Sequence, residues 1–297
     1  MTAPPAATDK PPPAEGILVV DKPVGPTSFD VIAKLRKSLH TRELGHCGTL
    51  DPLASGVLVV VAGRYTKLVR FLTADDKRYT ADIAFGTRTT TDDREGEVIE
   101  RGDPSGLDAP RIEAALRGMT GNVLQVPPMH SAIQKDGERL YEKARRGETV
   151  EVEARPVVIH ALSLVSWQPP VATVDVHCGK GTYVRAIARD LGAALGVPAH
   201  LAGLRRTASG AWHISDAISL EEARDAGRVR EHLRTGPLEV RGMTSVAVDD
   251  NVARALRVGQ RPRLAWPDND AALAVHDGDI VAIVAIKEGQ ALVIRGF

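Results

Sequence analysis

The segment most suited to chemistry is GHCGTLDP, residues 45–52, in which Asp51 follows two glycines and precedes Pro52. Glycine lets a backbone approach a ligand closely, and a residue before proline is pushed into extended geometry. Such a loop can present a carboxylate rigidly, although from spacing alone an Asp-Pro pair that simply initiates a turn is the commoner case. His46 and Cys47 adjoin it, but sequence neighbours rarely point at each other and no partner acid stands out, so Cys47 reads as inert. Gly179-Lys180-Gly181-Thr182 looks like a phosphate loop and fails the test. Val174 stands where the first glycine is needed, and Gly181 follows the lysine where Ser or Thr is required. Arg185, next to Tyr183 at a helix start, is either a surface residue or the bidentate partner of a carboxylate. Tyr79 lies on the apolar face of a strand, where a core tyrosine still needs a partner for its hydroxyl.

These side chains have to be carried by regular elements. Residues 16–21 (GILVVD) form a short apolar strand. Thr27 or Ser28 then caps a helix through His40, with Phe29, Ile32, Ala33 and Leu39 on one face. Residues 43–54 are punctuated by glycine and read as a loop. Residues 56–63 (GVLVVVAG) have the continuous apolar character of a strand buried on both faces. Tyr79, Ala81, Ile83 and Phe85 alternate with Thr80, Asp82 and Ala84, which predicts a half-buried strand. Further strands are expected over 150–167 and 171–178, helices over 64–72 and 112–117, and an amphipathic helix over 182–195. From about Glu239 the pattern becomes a compact β-rich unit. Strands and helices do not alternate regularly, so the expected class is α+β with a mixed or antiparallel sheet.

At 297 residues, 43% hydrophobic and 26% charged, the chain can bury one large core and a small one. It contains no apolar run long enough for a helical membrane span. Residues 1–15 are proline-rich without an apolar stretch and read as a disordered tail, not a signal peptide. Two cysteines without a C-x-x-C pair, and nine histidines without H-E-x-x-H, predict a reducing cytoplasm and no metal. Formal net charge is zero. Lys180, Arg185, Arg189, Arg205 and Arg206 nevertheless cluster against a single Asp190, and residues 92–103 are mostly acidic. A basic face opposed by an acidic one is one reading, and an ordinary solvated surface is the other.

Seven motifs in order carry a resemblance: VDKPVGPTS (20–28), GHCGTLDPLASGVL (45–58), KRYTADIAFG (77–86), VPPMHSA (126–132), RLYEKAR (139–145), CGKGTYVRAIARDLG (178–192) and AHLAGLRRT (199–207). Across residues 16–219 the chain resembles the bacterial TruB-type tRNA pseudouridine synthases, which isomerise uridine 55 in the T-arm loop. The resemblance implies the pseudouridine-synthase fold, with a mixed, mainly antiparallel central sheet. It implies Asp51 as the catalytic aspartate, acting as nucleophile towards the sugar or as base at C2′. Arg185 would pair with Asp51, keeping it ionised and aimed. Tyr79 would stack on the target base and assist the final proton removal from C5.

By the same resemblance Tyr183 and Leu204 contact the uridine, and His46 helps displace the target nucleotide from its loop. Lys22 and Pro23 shore up the wall of the site. No cofactor or metal is implied, since no redox step or group transfer occurs. The partner is tRNA through its T-arm loop, and the enzyme is expected to be a cytoplasmic monomer. Residues 16–238 would form the catalytic domain. An insertion at 126–155, with Lys135, Arg139, Lys143, Arg145 and Arg146, would meet phosphates. Residues 239–297 are similar to a PUA domain. A non-catalytic tRNA-binding or tRNA-folding protein on the same scaffold is the alternative, which the trio Asp51, Tyr79 and Arg185 disfavours. A glycoside hydrolase would want a second carboxylate across from Asp51, and no comparable acidic loop presents itself.

Overall fold

A computed structural model describes residues 13–129, 131, 134, 135, 137–139, 146, 152–237 and 243–297. Its frame is a ten-stranded sheet. Eight strands run in the order Ile218–Ser219, Gly16–Lys22, Ala54–Ala62, Ala199–Ser209, Lys77–Phe85, Val171–Cys178, Arg155–Gln168, Gly121–Gln125. Two short strands, Leu44–His46 and Trp212–His213, pair off this path. Gly16–Lys22 is parallel to Ile218–Ser219, and Ala54–Ala62 is parallel to Ala199–Ser209, while the remaining pairs are antiparallel. The α+β class and the mixed, mainly antiparallel sheet are as the sequence predicts.

Ala54–Ala62 shows why an unbroken apolar run is needed. Side chains alternate across a strand, so Leu58, Val60 and Ala62 enter one core, with Val31, Ile32, Leu35 and Leu39 of the Ser28–Leu39 helix. Val57, Val59 and Val61 enter another core on the opposite face, beside Tyr65, Leu68 and Trp212. A third core fills the space between the Val171–Cys178 and Lys77–Phe85 strands and the helices Ala109–Gly118 and Val184–Leu195. The Val184–Leu195 helix ends on Gly196 in the left-handed region, the usual glycine stop.

The C-terminal unit is a four-stranded sheet, Thr244–Ala247, Asn269–His276, Asp279–Lys287 and Gln290–Gly296, with the helix Asp250–Arg257. One face covers its own helix through Ala253 and Leu256. The other sends Leu273, Ile280 and Ile283 into the core shared with Ile17 and Val19. Phe297 meets the Tyr65 ring edge-on at 5.0 Å.

Several expectations are corrected. Phe29 is 65% exposed and Ala33 is exposed, because the first helix turns Val31, Ile32, Leu35 and Leu39 inward instead. The 43–54 segment contains the strand Leu44–His46, which its glycines hid. The Ala199–Ser209 strand, central to the sheet, leaves no clear periodicity in its mixed Leu-Arg-Arg sequence. Ala14 and Glu15, expected within the tail, belong to the folded body: Ala14 is buried in the core, and Glu15 pairs with Arg64 at 2.8 Å. Half of the 126–155 insertion, including Lys143 and Arg145, lies outside the described residues, as does the expected boundary at 239.

Candidate active site

Asp51 lies between the strands Leu44–His46 and Ala54–Ala62 in a loop fixed largely through its backbone. Ser28 Oγ accepts from Leu50 N at 2.9 Å and donates to Leu50 O at 3.2 Å. Gly25 N donates to Pro52 O, and Ala54 N to Asp51 O. Gly48, at φ +93°, turns its carbonyl to Arg206 Nη2 at 2.9 Å. The loop therefore needs no regular structure to be rigid, because its polar groups are satisfied by neighbouring elements.

The Asp51 side chain remains 43% exposed, while Arg185 beneath it is only 7% exposed and places Nη2 3.1 Å from Asp51 Oδ2. Arg185 is held from behind. Its Nη1 lies 3.3 Å from Asp93 Oδ2 and donates to Thr91 O at 3.1 Å. Asp93 in turn accepts from Glu95 N and Thr91 Oγ1. The neighbouring Asp92 takes Arg189 at 3.0 Å, and the whole loop is strapped to Leu201 by two backbone hydrogen bonds. A guanidinium fixed on one side to a buried carboxylate is pre-set to receive a second carboxylate on the other.

The reading of a basic face opposed by an acidic one is corrected only in part, since Glu95, Glu97, Glu100 and Asp103 stay exposed. Asp92 and Asp93 fold inward beneath Arg189 and Arg185, since a charge leaves water only with a partner. Arg206 is buried, and Arg205 is paired bidentately with Asp21 at 2.7 and 3.1 Å. Of the five basic residues, Lys180 is exposed.

Tyr79 is half-buried against the same core, cross-strand from Arg206. Burial pushes its hydroxyl up from the ordinary tyrosine range, against the pull of the Arg206 guanidinium. Tyr183 caps the Arg185 helix and is locked by Gln125, which accepts from Tyr183 N at 2.8 Å and donates to Tyr183 O at 3.2 Å. Leu204 pairs with Ala54 on one side and Ala81 on the other, which sets it between the Asp51 loop and the Tyr79 strand. His46 is half-buried on its strand. Burial, then Arg206, hold its imidazole below the usual value, and its Nδ1 meets no partner among the described residues. Lys22 is fully buried, donating to Pro23 O and Pro26 O. Burial lowers it to about 8 against the opposing charge of Asp51.

The structure thus brings Asp51 and Arg185 into contact and sets Tyr79, Tyr183 and Leu204 on the elements around them. Sequence reasoning missed Asp93, Gln125, Ser28 and Arg206. Arg206 bridges two segments, donating from Nε to Val57 O at 2.6 Å as well as to Gly48 O. Gly56 is forced by it, since a Cβ there would fall 2.1 Å from Arg206 O.

Beyond the site, this architecture is that of the pseudouridine synthases. A chain of the crystal structure of the archaeal box H/ACA sRNP Nop10–Cbf5 complex superposes with TM-score 0.69 at 20% identity, over 95% of this chain and 85% of that one. The TruB family pseudouridylate synthase N-terminal domain matches residues 36–184, and the tRNA pseudouridylate synthase B C-terminal domain matches 185–240. The chain belongs to the TruB family of pseudouridine synthases and is an isomerase. Among its relatives, the tRNA pseudouridine synthase B of Corynebacterium efficiens is 48% identical over 72% of this chain and 73% of its own length. The enzymes of that name from Deinococcus radiodurans (38%; 90% and 95%) and Burkholderia mallei (41%; 95% and 98%) cover nearly all of both chains.

Proposed function

We propose that this enzyme converts uridine 55 in the T-arm loop of tRNA to pseudouridine, with Asp51 acting on the sugar of a flipped-out nucleotide. The observation that carries the reading is an exposed carboxylate held at 3.1 Å by a buried arginine. In the isomerisation the C1′–N1 bond breaks, the uracil turns, and a C1′–C5 bond forms. N1 gains a proton and C5 loses one. Nothing is oxidised or reduced, so the reaction calls for no cofactor. Arg185 holds Asp51 in line. Tyr79 lies against the base and takes part in removing the C5 proton, and Tyr183 and Leu204 bound the uracil. His46 helps displace the target nucleotide from its loop, and contacts to the flipped base offset an extrusion cost of a few kcal/mol. Residues 16–238 form the catalytic body, with the 126–155 segment closing on the T-arm. Residues 239–297 act as a PUA-like grip on the acceptor end. The enzyme works as a cytoplasmic monomer.

The test is tritium release from tRNA labelled at C5 of its uridines. Wild type is expected to release one equivalent, and none when position 55 carries cytidine. Asp51→Asn should slow release at least about a thousandfold while tRNA binding persists. Binding should also weaken steeply as salt rises, through counterion release. Absence of release by wild type overturns the reading; release unaffected by cytidine at 55 overturns the choice of nucleotide.

A further inference from the structure

Asp76, His160 and His177 are far apart in the chain, and nothing in their spacing suggests a common role. The sheet brings them together at one end of three adjacent strands. Asp76 immediately precedes the Lys77–Phe85 strand, His177 is the penultimate residue of Val171–Cys178, and His160 lies in Arg155–Gln168. Among the described residues this is the one group of three His, Cys, Asp or Glu side chains whose ligand atoms all lie within 4.8 Å of one another.

A bulge produces the meeting. Ile159 is paired with Cys178 and Ala161 with His177, so two consecutive partners oppose three residues and His160 is the extra one. Such an insertion re-aims a side chain. Here it puts His160 on the outward face that His177 already occupies, away from the buried Ile159, Val176 and Cys178. The imidazole rings stand 4.6 Å apart between centroids, tilted by 40°. His160 Nε2 is 3.2 Å from Asp76 Oδ2. The backbone beneath is fixed: Gly179 N donates to Val158 O, and Gly210 N to Asp76 O.

We infer that Asp76, His160 and His177 form a surface site for one divalent transition-metal ion of the zinc type, distinct from the Asp51 site. Two imidazoles and one carboxylate are the donor set of three-ligand sites for zinc and its neighbours, with water completing the sphere. Calcium and magnesium require oxygen donors and fit poorly. Donor atoms around one tetrahedral zinc sit roughly 3.3 Å apart. Closing from the present spacing takes side-chain rotation only, since the strands are locked in register. None of the three residues is among those gathered at Asp51, so the ion has no part in the isomerisation. It ties together three neighbouring strands at the end from which the chain passes through Gly179–Thr182 to Tyr183 and Arg185.

The experiment uses the full, tag-free chain, stripped with a chelator, titrated with zinc chloride by calorimetry and with cobalt(II) by visible absorption. One zinc per chain is expected, with a dissociation constant in the micromolar range, a cobalt spectrum of tetrahedral or five-coordinate type, and no response to magnesium. His160→Ala and His177→Asn should each weaken zinc at least about tenfold, and the double variant should lose it. Zinc should raise the melting temperature of wild type and leave that of the double variant unchanged. Circular dichroism and tritium release check that the variants are folded, and His213→Gln serves as the control. No saturable binding, or binding that survives removal of both imidazoles, overturns the site.

Discussion

Around Asp51 the protein buries Lys22, Asp92, Asp93, Arg185 and Arg206, whereas from residue 243 onward every buried side chain among the described residues is apolar. Both bodies are built on sheets with a helix against one face, so architecture does not explain the contrast. Taking a charge out of water is costly unless it is paired, and a paired burial seldom adds stability over an apolar one. A cluster of such burials is thus a mark of placement, where groups are held for what they do. The described residues of the C-terminal unit carry no such mark; its interior packs against its own helix and seats the unit on the larger sheet.

The contrast can be broken most forcefully from the apolar side. Leu273→Ala cuts a cavity in the core that joins the two bodies, and stability should fall by about 3 kcal/mol in urea unfolding while turnover stays put. A parallel loss of turnover at temperatures where the variant is folded would mean that the two bodies are not separable in this way. Asp93→Asn next sharpens the polar side. It keeps the shape behind Arg185 but removes the charge that holds it, and kcat should drop about a hundredfold with KM for tRNA unmoved. A change confined to KM would assign the loop to RNA binding instead.

Lys22 offers a third probe, through pH. Burial lowers its folded value from 10.5 to about 8. Below about 8 both folded and unfolded forms are protonated, and the buried charge costs stability. Between about 8 and 10.5 the unfolded chain binds more protons, so stability contributed at this residue rises with pH. Relative to Lys22→Met, wild type should gain about 2 kcal/mol between pH 7 and 10, read from urea unfolding of both proteins. Identical pH slopes would show that Lys22 is not a buried charge at neutrality.

Much of the fold could be read from the residues, and the reasons are local. The alternation from Tyr79 to Phe85 and the unbroken run from Val57 to Val61 each obey one periodicity, so they appear as the strands they are. The Ala199–Ser209 strand was hidden because its two arginines look like surface groups. Arg206 becomes fully buried only through carbonyls contributed by Gly48 and Val57. The same holds at the site. Asp51, Tyr79 and Arg185 each sit in a recognisable motif, but Asp93 reads as one more acid in a solvated run until the Ala199–Ser209 strand draws its loop inward. Asp76, His160 and His177 are the extreme case, because a bulge decides their meeting and bulges leave little trace in composition.

The double clasp between Ser28 and Leu50, with Gly25 bonded to Pro52, has a practical consequence for anyone wishing to transplant this chemistry. The portable part is not the eight-residue loop around Asp51, which has little internal bonding to remember its shape. A graft would have to carry the cap of the first helix and the strand bearing Arg206 with it. Lengthening the turn before that helix by even one residue would slide the clasp out of reach of the carboxylate it aims.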